Sequence, residues 1–148
     1  MRLLMLHCDY FRYECVRKTP VSEEVNEERR RGHVEGSVLV VLICSEKRDA
    51  ENPSEIAKKA SEAILDIVRQ VKASDVVLHP FAHLSDELAP PDVAKAVIDE
   101  VERMLTSKLG NRVLKTPFGW RDTFELRVKG HPISKVSRKI ILGQGMLP

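Results

Sequence analysis

Two histidines, His79 and His83, flank the segment Pro80-Phe81-Ala82, and Ser85 follows shortly after. Histidine is the side chain best suited to orient or move a proton near neutral pH. Here one stands on each side of a change in chain direction. The preceding Val76-Val77-Leu78 is a short apolar, β-branched run, the pattern of a core strand covered on both faces. Pro80 has no N–H to give a sheet and pushes His79 into extended backbone, so the strand ends there. In open α/β sheets ligands bind at the carboxyl ends of strands. Pro80 to Ser85 is therefore the first place to look for a site. The same residues also fit a plain strand and turn, with His83 capping or bonding locally.

Metal chemistry finds little support. Pro80 prevents the helix on which His79 and His83 would face one ion, and His7, His33 and His131 have no local ligand spacing. Cys8, Cys15 and Cys44 are far apart and form no CxxC pair, so they read as small buried hydrophobes in a reducing compartment. There is no glycine-rich phosphate loop and no internal repeat. No metal and no cofactor is expected.

The 148 residues are 43% hydrophobic and 31% charged, enough for one domain with a full core. Lys and Arg number 24 against 22 Asp and Glu, a net charge of +2. That balance does not mark a nucleic-acid binder by charge alone, although a protein touching only the end of an RNA neutralises few phosphates. The run Leu3-Leu4-Met5-Leu6 is too short for a signal-peptide core, and no apolar segment approaches membrane-spanning length, so a cytoplasmic location is expected.

The elements that position these residues are legible in outline. Arg2 to His7 reads as a buried strand, and His7-Cys8-Asp9-Tyr10 as its end, where Asp9 and Tyr10 face a site or close a turn. Phe11 to Val16 alternates as a more exposed strand. Arg17 to His33 is almost wholly polar and reads as a solvated loop or exposed helix; its Arg29-Arg30-Arg31 fits a solvated surface better than a phosphate site. Val38 to Cys44 is the longest apolar run, a central strand ending at Ser45-Glu46. Asn52-Pro53-Ser54-Glu55 opens a helix, with Asn as cap and Pro at the first position, and Ile56 to Val71 keeps helical spacing. Pro90-Pro91-Asp92 opens a second helix, stopped by Gly110 and Asn111. Val113 to Lys115 is a short strand, and Thr116 to Trp120 a turn with two aromatics. Thr123 to Lys129 alternates as an antiparallel strand, and Ile133 to Ile141 as a short amphipathic helix. The fold class is α/β, a mixed sheet packed with two main helices. Residues 1–142 are expected to form the domain, and 143–148 the start of a linker or tail.

Four separated stretches resemble one family. Met1 to Tyr10, Pro80-Phe81-Ala82-His83-Leu84-Ser85, Lys115-Thr116-Pro117-Phe118-Gly119-Trp120 and Lys129-Gly130-His131-Pro132 are similar, in order and spacing, to the N-terminal editing domain of archaeal-type threonyl-tRNA synthetases. That domain is similar in fold to the homodimeric D-aminoacyl-tRNA deacylases. The resemblance implies hydrolysis of L-serine from threonine tRNA, with threonyl esters spared. Such a second site answers a physical need, because one missing methyl is discriminated by only about 1–3 kcal/mol in a single pocket. It further implies that the seryl-adenosine end of the tRNA lies against the strand end at Ser45 and Glu46, the turn Pro80, Phe81, Ala82 and His83, and the turn Pro117, Phe118 and Gly119. His83 takes the place of the pocket histidine, orienting substrate or acting as base, and Phe118 that of the pocket aromatic. Trp120 either stacks on the terminal adenine or covers a hydrophobic edge or the dimer seam. Main-chain groups and the terminal 2′-hydroxyl of the tRNA are expected to do much of the work. Expected partners are the serine-carrying 3′ end of threonine tRNA, a second copy in a homodimer, and an aminoacylation domain in cis or in trans; no membrane is expected.

The sequence departs from the family pattern in two places: Asp122 stands where a pocket lysine is common, and Lys135 where a glutamate is common. Either these side chains are dispensable, or this member is impaired, or Asp122 and Lys135 form the same ion pair with its signs exchanged. The competing readings are removal of D-amino acids and a non-catalytic module for tRNA docking or dimerisation.

Overall fold

The computed structural model describes residues 1–143. Residues 144–148, most of the expected tail, lie outside the described residues. The sheet is built around β1 (Arg2–Arg17), which pairs antiparallel with β2 (Arg31–Cys44) along one edge. Beyond β2 the sheet turns parallel, with β3 (Asp75–Pro80) and β4 (Val113–Lys115). On its other edge β1 pairs with β5 (Arg121–Val128) along its second half and with β6 (Lys135–Lys139) along its first. The result is a six-stranded mixed sheet.

Two helices, α1 (Pro53–Val71) and α2 (Pro91–Leu109), supply the βαβ crossovers. Asn52 caps α1 by accepting from the Glu55 N–H, Pro53 takes the first turn, and Lys72 ends the helix in the left-handed conformation. Both helices pack on one sheet face, over Leu3, Met5, Leu39, Val41, Ile43 and Leu78. The other face carries Cys8, Phe11, Tyr13, Cys15, Val40, Leu42 and Val77. The apolar run of β2 is thus buried on both sides, as its composition predicts. All three cysteines are buried free thiols, and burial pushes each up to about 11.

Three expectations need correction. The first two strands are one, bent at a bulge between Cys8 and Tyr10 rather than ended there. The amphipathic helix expected over Ile133 to Ile141 is instead strand β6. Its apolar residues suit either period, and β5 pairs β1 only from Cys8 onward, leaving the edge at Arg2 to Leu6 open. Pairing with β6 satisfies those backbone groups. The polar stretch after Arg17 is no helix and only partly solvated. Residues 18–26 fold over the aromatic turn, and a one-turn 3-10 helix, Glu27–Arg30, leads into β2.

Candidate active site

The carboxyl ends of β2 and β3 open into a cleft of about 860 Å³. One wall is the turn after β3. Phe81 N–H donates to the Ile43 carbonyl at 2.9 Å, tying that turn to the end of β2. Ala82–Leu84 then makes one 3-10 turn. His83 is exposed there, its ring edge-on to Phe81 at 5.3 Å between centroids. The opposite wall is the turn between β4 and β5, with Phe118, Gly119 and Trp120 facing the cleft. Gly119 adopts φ +80°, and a Cβ there would stand 2.6 Å from the Val21 carbonyl oxygen, so glycine is required twice over.

The two turns and the strand end predicted from sequence therefore meet. Ser45, Pro80, Phe81, Ala82, His83, Phe118, Gly119 and Trp120 all line the cleft. Two expected residues do not. Pro117 is buried behind its turn. The Glu46 carboxylate faces away, 3.1 Å from the Met1 amine and accepting from Ser85 Oγ at 2.6 Å. It anchors Ser85 from behind the turn that carries His83.

Residues 18–26 are the part of the site that polarity concealed. Thr19, Pro20 and Val21 line the cleft. Thr19 Oγ1 donates to the Gly119 carbonyl at 2.6 Å, and Trp120 Nε1 donates to the Glu23 carbonyl at 2.9 Å. Glu23 is the staple: its Oε1 accepts from Lys115 Nζ and from the Phe118 N–H, both at 2.7 Å. Its neighbours hold the Glu23 carboxyl below the usual carboxylate range despite burial. Arg30, read as solvated, lies over the Trp120 ring at 5.0 Å. A glutamate in a polar, charge-rich stretch carries no local sign of this role.

On the cleft floor His79 is almost fully buried, with Nδ1 2.8 Å from Thr116 Oγ1 and its ring 4.6 Å from Phe124. Burial lowers it to about 4, so the imidazole is neutral. Its Nε2 lies 3.9 Å from Asp122 Oδ2, and burial raises that carboxyl to about 6. Asp122 does not pair with Lys135. Asp122 stands opposite Cys15 and Lys135 opposite Leu6, nine residues apart along β1 and so about 30 Å away.

The family model described as the archaea-specific editing domain of threonyl-tRNA synthetase matches residues 1–140. The chain belongs to that family. It is 43% identical over 140 residues to a threonine–tRNA ligase of Methanosphaera stadtmanae, covering 95% of this chain. With those of Thermococcus sibiricus and Thermococcus onnurineus it shares 43% over 145 and 45% over 142 residues, covering 97% and 95% of this chain. The chain spans 22–23% of the length of these ligases. A solved structure described as a probable eukaryotic D-amino acid tRNA deacylase superposes with a TM-score of 0.62 over 93% of this chain and 98% of its own, at 14% identity. That likeness shows the deacylase-like fold. As an editing domain of threonyl-tRNA synthetase, the chain is an aminoacyl-tRNA hydrolase.

Proposed function

We propose that this editing domain hydrolyses L-seryl-tRNA(Thr) and spares L-threonyl-tRNA(Thr), correcting a synthetase that charges serine by mistake. The observation that carries the reading is the cleft, where the strand end, the His83 turn and the Phe118 turn form facing walls around a volume of the size that small ligands fill. The terminal adenosine lies against Phe118 and Trp120, and the seryl group points toward His79 and His83. Ala89, Ala94 and Ile98 give the cleft part of its apolar lining. In this reading a site shaped to the seryl side chain excludes the added methyl of threonine, as a second sieve requires.

Aminoacyl esters are activated, so the domain's main tasks are to place water and to stabilise an oxyanion. In this reading main-chain N–H groups at the start of the Ala82–Leu84 turn meet the oxyanion. His83 orients substrate, and the terminal 2′-hydroxyl of the tRNA assists the water. Residues 1–142 form the functional unit, acting as a homodimer in the cytoplasm with an aminoacylation domain in cis or in trans.

The test is deacylation of L-seryl- and L-threonyl-tRNA(Thr), with a D-aminoacyl-tRNA as third substrate. Rapid loss of L-serine alone supports the reading. Loss of the D-ester alone moves the domain to chirality checking, and no turnover on any ester leaves a tRNA-docking module.

A further inference from the structure

Among the described side chains lining the cleft, one is a carboxylate: Asp122. Its side chain is 16% exposed, and His79 is the titratable group within ion-pair distance, at 3.9 Å. That histidine is neutral and fixed, held through Nδ1 to Thr116 and packed against Phe11 and Phe124. It offers Asp122 no positive charge. Arg121 also lines the cleft, yet forms no ion pair with Asp122 among the described residues, and neither Asp122 oxygen takes a hydrogen bond there. The chain thus keeps an anion in a mostly apolar cleft without a cation of its own to balance it. Such a group is costly unless a partner arrives.

We propose that Asp122 is the anchor for the α-ammonium group of the aminoacyl ester, with Thr116 and His79 forming the rigid floor beneath it. This rests on the reading of the cleft as an aminoacyl-ester site. Every free aminoacyl ester, of either chirality, carries that ammonium group, and in a mostly apolar cleft it needs an acceptor. A charge-assisted hydrogen bond to a carboxylate is the strongest available. Burial raises the Asp122 carboxyl to about 6, the direction expected of a carboxylate with no cation beside it. One consequence is specificity of a second kind. An ester whose amine is acylated, as in peptidyl-tRNA, presents no positive charge and leaves Asp122 unpaired, so the domain discriminates between free and blocked amino groups.

The experiment compares kcat/KM for L-seryl-tRNA(Thr) and N-acetyl-L-seryl-tRNA(Thr), using wild type, Asp122→Asn and Asp122→Glu at pH 7.5. Wild type is expected to prefer the free amine by about 10–100-fold, the range of a hydrogen bond to a charged group. Asp122→Asn should bring that ratio close to one, mainly through KM for the free-amine substrate. Asp122→Glu should retain part of it, which separates charge from packing. If Asp122→Asn lowers both substrates equally, or leaves the ratio unchanged while wild type deacylates seryl-tRNA, the ammonium assignment is overturned and the ester site stands. If wild type releases no amino acid from any ester, both fall together.

Discussion

At the residue scale the cleft separates two histidines of the same segment into different tasks. His83 is exposed on the wall of the cleft, whereas His79 is buried at its floor against Thr116. If His83 orients the ester rather than serving as the base, His83→Ala should slow deserylation by about tenfold, well short of the 100-fold or more typical of a lost general base. A tRNA ending in 2′-deoxyadenosine should lose more than that. Single-turnover deacylation of both tRNAs by both proteins checks this, and full activity on the deoxy tRNA would remove the RNA-assisted step. His83 was legible because proline, aromatic and histidine crowd one turn. His79 was not, since its partner Thr116 lies 37 residues away on another strand end. Asp122 was visible as a departure from the family pattern, but its surroundings were not.

At the scale of elements, the site depends on a loop whose sequence looks dispensable. Lys115 is nearly inaccessible, and Glu23 and Asp99 are the carboxylates beside it, at 2.7 and 3.4 Å. Glu23→Ala leaves that ammonium half-compensated and frees the Phe118 N–H. Breaking a buried pair of this kind costs about 3 kcal/mol, whereas replacing both partners with apolar groups is nearly neutral. Urea unfolding should therefore show the loss in Glu23→Ala and substantial recovery in Glu23→Leu/Lys115→Met. Activity should not recover fully, because the Phe118 N–H has lost the carboxylate that fixes its turn. Gly119→Ala tests the same seam from the other side. It forces a side chain into positive φ and against the Val21 carbonyl, so at least about 2 kcal/mol of stability should be lost, read by thermal or urea unfolding. Polarity alone could not reveal this loop, since its anchors are two hydroxyls, a main-chain carbonyl and one carboxylate whose partners lie about a hundred residues away. Strand β6 stayed hidden for a related reason: its period was ambiguous, and what decided it was an unpaired length of β1 more than a hundred residues earlier in the chain.

Across the whole molecule, the cleft leaves a signature in the dependence of stability on pH, because buried His79 and partly buried Asp122 act in opposite directions. Burial lowers His79 to about 4, so the folded state binds its proton less readily than the unfolded chain. The stability from neutral His79 is complete above about 6.5 and is lost as pH falls toward 4. His7, lowered by burial and by His131 beside it, acts in the same sense. Burial raises Asp122 to about 6, so here the folded state binds the proton more readily. Its contribution is intact below about 3.9 and declines as pH rises through 6. Between pH 4 and 6 the two trends oppose one another, and wild-type stability should change little for a domain with a nearly buried histidine. Asp122→Asn removes one side of that balance. The variant should match wild type at pH 4, gain on it through pH 6, and level off above pH 7 at about 1–2 kcal/mol, a figure reduced for water reaching the cleft. Urea unfolding of both proteins at intervals from pH 4 to 8 measures the difference directly. A constant offset at all pH values would mean that Asp122 acts through packing alone. A rising difference, together with the loss of free-amine preference in the same variant, would show a site that gives up stability to keep an unpaired charge where substrate needs it.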